Sequence, residues 1–89
     1  MISETYLNHP TFGLLFSICS YEPDRALFST LYAQRLFFIV TQAASGITFE
    51  PTTRNEARLI VENHLRTLRR TGEKDDLDRL LTLHKKTFA

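Results

Sequence analysis

Thr30-Leu31-Tyr32-Ala33-Gln34-Arg35-Leu36-Phe37-Phe38-Ile39-Val40 is the stretch on which the fold turns. From Leu36 to Val40 every residue is apolar. A strand covered on one face alternates apolar and polar residues, whereas an unbroken apolar run belongs to a segment covered on both faces or to a short buried helix. Phe, Ile and Val favour the strand. A chain of 89 residues has little material to cover both faces of a sheet. Something outside the chain is therefore expected to cover one of them.

The flanking sequence supplies the other strands. Leu14 to Ser20, Arg25 to Tyr32, Arg35 to Thr41 and Ile47 to Glu50 are each short and rich in β-branched or aromatic residues. They are separated by Tyr21-Glu22-Pro23-Asp24, by Ala33-Gln34 and by Ala44-Ser45-Gly46, all of them turn or bend signals. A helix from Asp24 is the alternative for the second segment, but Ser29, Thr30 and Tyr32 favour extension. Pro51 is expected to end the fourth strand. Residues 1–11 read as a turn region, because Asn8-His9-Pro10 disfavours helix before the proline. This spacing predicts an antiparallel meander, curled or barrel-like.

Composition changes at Pro51-Thr52-Thr53. Residues 1–52 carry two basic and four acidic side chains and nine of the ten aromatics; residues 53–89 carry nine basic and six acidic side chains. The expected division is a β-domain over residues 1–52 and an antiparallel helical hairpin over residues 53–89, an α+β chain. Thr53-Arg54-Asn55-Glu56 is a capping box that starts the first helix. Ala57, Ile60, Val61, His64, Leu65 and Leu68 follow at helical spacing, and Gly72 is the stop. The second helix begins near Asp75, with Asp78 as its capping partner. Its apolar stripe is Leu77, Leu80, Leu81, His84 and Phe88, and Lys85 and Lys86 sit favourably at its end.

Side chains alternate faces along a strand, so position parity sorts them, provided that no bulge shifts the register. Odd positions Leu15, Cys19, Leu27, Leu31, Phe37 and Ile39 form a compact aliphatic set suited to a core. Even positions Phe12, Leu14, Phe16, Ile18, Phe28, Thr30, Tyr32, Gln34, Leu36, Phe38 and Val40 are richer in aromatics and broken by polar groups. Ile18, Phe28 and Val40 could receive the hairpin. Tyr32, Gln34, Leu36 and Phe38 have the mixed composition of a protein–protein contact instead.

Several function classes lack their residues. The three glycines are far apart, so there is no phosphate-binding loop. One cysteine, Cys19, forms no intrachain disulfide and suits a reducing cytosol. It falls on a strand, where burial is the expected fate. His64 and His84 lie on apolar helix stripes, with no spacing that suggests a metal. Asp75, Asp76 and Asp78 start a helix and lack the glycine and distal glutamate of a calcium loop. No basic-then-apolar leader and no span of ~20 apolar residues occurs. Neither an enzyme nor a cofactor is expected. Arg54, Arg58, Arg66 and Arg70 recur along one side of the first helix, with Arg69 nearby and Glu62 between them. They fit a small RNA-binding module or, as the plainer reading, a solvated face with Arg58–Glu62 and Glu62–Arg66 pairs.

Three strings carry a resemblance: Tyr6-Leu7-Asn8-His9-Pro10-Thr11-Phe12-Gly13-Leu14-Leu15, Thr30 to Phe38, and Phe49-Glu50-Pro51 with Arg54-Asn55-Glu56-Ala57-Arg58. The chain resembles the PII-interacting protein X (PipX) family of cyanobacteria along nearly its whole length. The resemblance implies a Tudor-like curled β-domain followed by two helices. It also implies a cytoplasmic adaptor. Such proteins bind the nitrogen regulator NtcA as a coactivator when 2-oxoglutarate is abundant. They are held by the trimeric PII signalling protein when it is scarce. Both partners use overlapping patches of the β-domain. The matching positions are Tyr6, Phe12, Leu14, Phe16, Tyr32, Gln34, Arg35, Leu36 and Phe38, with Glu4 and Arg35 at the rim. Phe16 stands where some relatives carry tyrosine, so no hydroxyl bond is carried over there. The helices are a candidate surface for another regulator or RNA polymerase. Neither direct DNA binding nor membrane association is implied.

Overall fold

The computed structural model describes residues 5–31 and 36–88. Five strands, β1 (Tyr6–His9), β2 (Gly13–Glu22), β3 (Arg25–Thr30), β4 (Phe37–Ala43) and β5 (Gly46–Thr52), are followed by α1 (Arg54–Thr71) and α2 (Lys74–Phe88). The strands pair antiparallel with their neighbours in chain order, β1 to β5. The sheet curls so that β1 approaches β5: the His9 and Phe49 ring centroids are 4.9 Å apart. The architecture is thus a Tudor-like half-barrel with a helical hairpin at its C-terminal side, an α+β fold.

Two strand expectations need correction. Residues 6–9 form β1 rather than a turn alone. This strand is only four residues long and half of it is exposed, so its identity comes from its pairing with β2, not from its own composition. β5 also runs through Pro51 to Thr52. It is an edge strand, and a proline there can turn its missing N–H away from the ladder. The helix alternative for residues after Asp24 does not occur; β3 takes that segment.

The parity argument fails along β2, whose pairing with β3 shifts register twice, between Ser17 and Cys19 and between Ser20 and Glu22. β2 pairs with β3 in one register up to Ser17↔Phe28 and in a shifted register from Cys19↔Leu27, so Ile18 is an extra residue. A bulge of this kind bends the strand and re-aims the side chains beyond it. Leu15 faces the inside of the curl, while Ile18 and Cys19 both face outward. Hence one parity does not make one core. The interior core is Leu15, Ala26, Phe28, Phe38 and Val40, closed by Leu7 and Phe49. The outer core joins Ile18, Cys19, Leu27 and Phe37 to Ala57, Val61, Leu65, Leu68 and Leu80 of the helices. Of the three residues expected to receive the hairpin, Ile18 does; Phe28 and Val40 turn inward. The helices and the sheet's own curvature therefore cover the two faces of the apolar run at Phe37-Phe38.

The helices start and stop for local reasons. Thr53 has extended backbone and its hydroxyl accepts from Glu56 N at 3.1 Å. The Glu56 carboxylate turns back to Thr52 Oγ1 at 2.7 Å, so the acidic half of the box binds one residue earlier than expected. Gly72 adopts φ 75°, where a side chain would be strained, and its N–H returns to Leu68 O. α2 begins at Lys74, one residue before the expected Asp75. Beneath it, Phe88 stacks on Phe37 with ring centroids 5.4 Å apart.

Arg79 of α2 ties the hairpin to the bulge. Its Nη1 donates to Ile18 O at 3.0 Å and its Nη2 to Ser17 O at 3.1 Å. Charged donors make bonds of about 1.5–3 kcal/mol. Arg79 is exposed, so solvent reduces that to about 1–2 kcal/mol for the pair of bonds. Arg79→Ala is expected to lower the free energy of unfolding in urea by that amount. A midpoint equal to wild type would show that the clamp contributes nothing.

Candidate partner-binding surface

Directly opposed residues in antiparallel strands share a face. Tyr6 opposes Phe16, Phe16 opposes Ser29, Ser29 opposes Phe37 and Phe37 opposes Thr52, which gives one row across the outer face of the sheet. The hairpin covers this row unevenly. Phe37 is 2% exposed beneath Phe88, Phe16 is half-buried against the outer core, and Tyr6 is 56% exposed. Leu14, two positions before Phe16, is half-buried on the same side.

A second group sits at the mouth of the curl. Phe12 is 47% and Leu36 42% exposed, whereas Phe38 is buried at 2%. The Phe38 ring lies 5.5 Å from Phe12 and 5.0 Å from His9, so it supports Phe12 from below instead of facing solvent. The Leu36 carbonyl accepts from Thr30 N at 3.2 Å and from Ser29 Oγ at 3.0 Å, which fixes its backbone at the entry to β4. The ten residues named from the sequence thus divide. Tyr6, Leu14 and Phe16 share the outer face, Phe12 and Leu36 are exposed, and Phe38 is interior. Glu4, Tyr32, Gln34 and Arg35 lie outside the described residues.

His9 does more than occupy a turn. Its Nδ1 accepts from Thr11 N at 3.0 Å and Phe12 N at 3.2 Å, which places the ring proton on Nε2. The same ring contacts Phe12, Phe38 and Phe49. His9 therefore positions Phe12 through both backbone and ring. In the sequence, Asn8-His9-Pro10 signals only a turn at this position.

The family model of PII-interacting protein X matches residues 3–88, which takes in both the sheet and the hairpin. The chain belongs to that family. No curated protein matches it. Membership makes it a PII-interacting regulatory protein, so its exposed apolar side chains are candidates for contact with a partner. Among the described residues no helix is long and apolar enough to cross a membrane.

The interior titratable groups are quiet by comparison. A cleft of about 400 Å³ where the hairpin turn meets β2 is lined by Cys19, His64, Thr67, Thr71, Asp76 and Arg79, among others. Burial pushes the Cys19 thiol up to about 12, against a smaller opposing pull from Arg79. A thiol held protonated is a poor nucleophile. Alkylation by iodoacetamide at pH 8 is expected only after unfolding; rapid labelling of the native chain would contradict the burial. Burial also lowers the His64 pKa, opposed by Asp76 and Glu73. The folded state then binds fewer protons than the unfolded state between that lowered value and the ordinary imidazole value of 6.5. Stability should fall as pH drops through this window. His64→Gln is expected to flatten that part of a stability–pH curve; an unchanged slope would assign the effect to another group.

Proposed function

We propose that the chain is a cytoplasmic adaptor that exchanges two partners according to nitrogen status. In this reading it binds NtcA as a coactivator when 2-oxoglutarate is high, and the PII trimer sequesters it when 2-oxoglutarate is low. Family membership supports the PII half directly. The observation that carries the site is the exposure of Tyr6, Phe12 and Leu36 on the β-domain, large apolar groups that a solvated surface does not require.

The two partners compete for overlapping parts of this surface. Tyr6, Phe12, Leu14, Phe16, Tyr32, Gln34, Leu36 and Phe38 supply the contact, Phe38 by holding Phe12 in place, and Glu4 and Arg35 set the charge at the rim. No effector needs to bind the adaptor itself. 2-Oxoglutarate and adenine nucleotides change the affinities of the partners, and the chain follows the lower free energy. A buried contact of this type loses about 2 kcal/mol or more when its central side chains are truncated. Tyr6→Ala and Leu36→Ala, which touch neither core centre, are expected to weaken PII and NtcA binding in calorimetric titrations by at least tenfold. Wild-type affinity for both partners in both folded variants would remove this surface from the account.

A further inference from the structure

α1 presents a charged face that the adaptor reading does not use. Arg58, Arg66, Arg69 and Arg70 are all exposed, and none of the four is ion-paired among the described residues. Glu62, expected to pair with two of them, and Arg54, expected on the same side of the helix, are both engaged elsewhere. Glu62 Oε2 lies 3.2 Å from His84 Nε2 on α2, so the Arg58–Glu62–Arg66 pairing is absent. Arg54 sits over the Phe88 ring at 5.5 Å and belongs to the packing between the helices. Every positively charged residue of α1 is arginine, whereas α2 carries three lysines and the structural Arg79. Arginine presents a planar fork of donors that matches phosphate oxygens, which an ammonium does not.

From Arg58 to Arg70 the helix rises about 18 Å, at ~1.5 Å per residue, and Arg66 and Arg70 are one turn apart. The four positions span about 120° of the helix circumference beside the buried stripe of Ala57, Val61, Leu65 and Leu68, with Arg58 next to Leu65 and Arg70 farthest round. We propose that this face binds the phosphodiester backbone of single-stranded nucleic acid. A flexible strand can bring successive phosphates onto a convex helix, which a rigid duplex meets over only a few. α1 contains no Phe, Tyr or Trp on which a base could stack, so contact is through charge and carries little base preference.

The test is fluorescence anisotropy of a labelled oligouridine of about 20 nucleotides titrated with the full chain. Four phosphates neutralised on a single strand give a slope of about −2.8 in log affinity against log salt, or an affinity loss of about 50-fold between 50 and 200 mM KCl. Arg66→Gln with Arg70→Gln halves the slope, leaving a loss of about 7-fold. Both positions are solvent-exposed, and circular dichroism confirms that the variant is folded. No binding at 50 mM KCl, a salt-independent affinity, or a wild-type slope in the double variant overturns the proposal. So does tighter binding of polyglutamate than of the oligouridine at equal charge and salt, which would assign the face to an acidic protein.

Discussion

The β-bulge at Ser17-Ile18-Cys19 is the constraint from which the remaining packing derives. One extra residue in β2 sends Leu15 into the curl and directs both Ile18 and Cys19 at the helices. Without it, Leu15 and Cys19, four positions apart, would share a face, and the strand could not serve both cores at these positions. Bulging also disturbs the ladder and leaves carbonyls in need of donors. Arg79, 61 residues beyond Ile18 in the chain, supplies them. The same guanidinium therefore completes the sheet and holds the hairpin on it, so the bulge and the position of α2 are a single structural decision.

That arrangement has two consequences for function. The hairpin covers the outer face unevenly, with Phe37 sealed under Phe88 and Tyr6 left open at the other end of the same row. The curl fills its own interior, which leaves its rim open to solvent, where Phe12 rests on Phe38 and is held by His9. A small chain thereby keeps large apolar groups exposed while its cores remain closed. This is a costly use of surface for 89 residues unless a partner covers it.

Features written in local chemistry were legible in the sequence. Thr53 and Gly72 bound α1 as their side-chain and backbone preferences require, and a turn at Ala44-Ser45, with Gly46 opening β5, separates β4 from β5. Features that depend on pairing were not. β1 has no strong strand signal of its own, and the bulge leaves no mark in a run as uniform as Leu14-Leu15-Phe16-Ser17-Ile18. That is why parity points Phe28 and Val40 toward the helices and Phe38 toward an open face, when all three are interior. In the candidate surface, Tyr6, Phe12 and Leu36 are exposed. The contribution of His9 depends on a hydrogen-bonded turn geometry that a proline-adjacent histidine does not announce.

The central claim is exchange between mutually exclusive partners. Sedimentation velocity of a mixture of this chain, the PII trimer and NtcA, with the chain limiting, tests it directly. With ADP and without 2-oxoglutarate, the chain should sediment with PII. Adding 2-oxoglutarate with ATP should transfer it to NtcA, with no species containing all three proteins. A stable ternary complex, or a distribution indifferent to 2-oxoglutarate, would contradict the account.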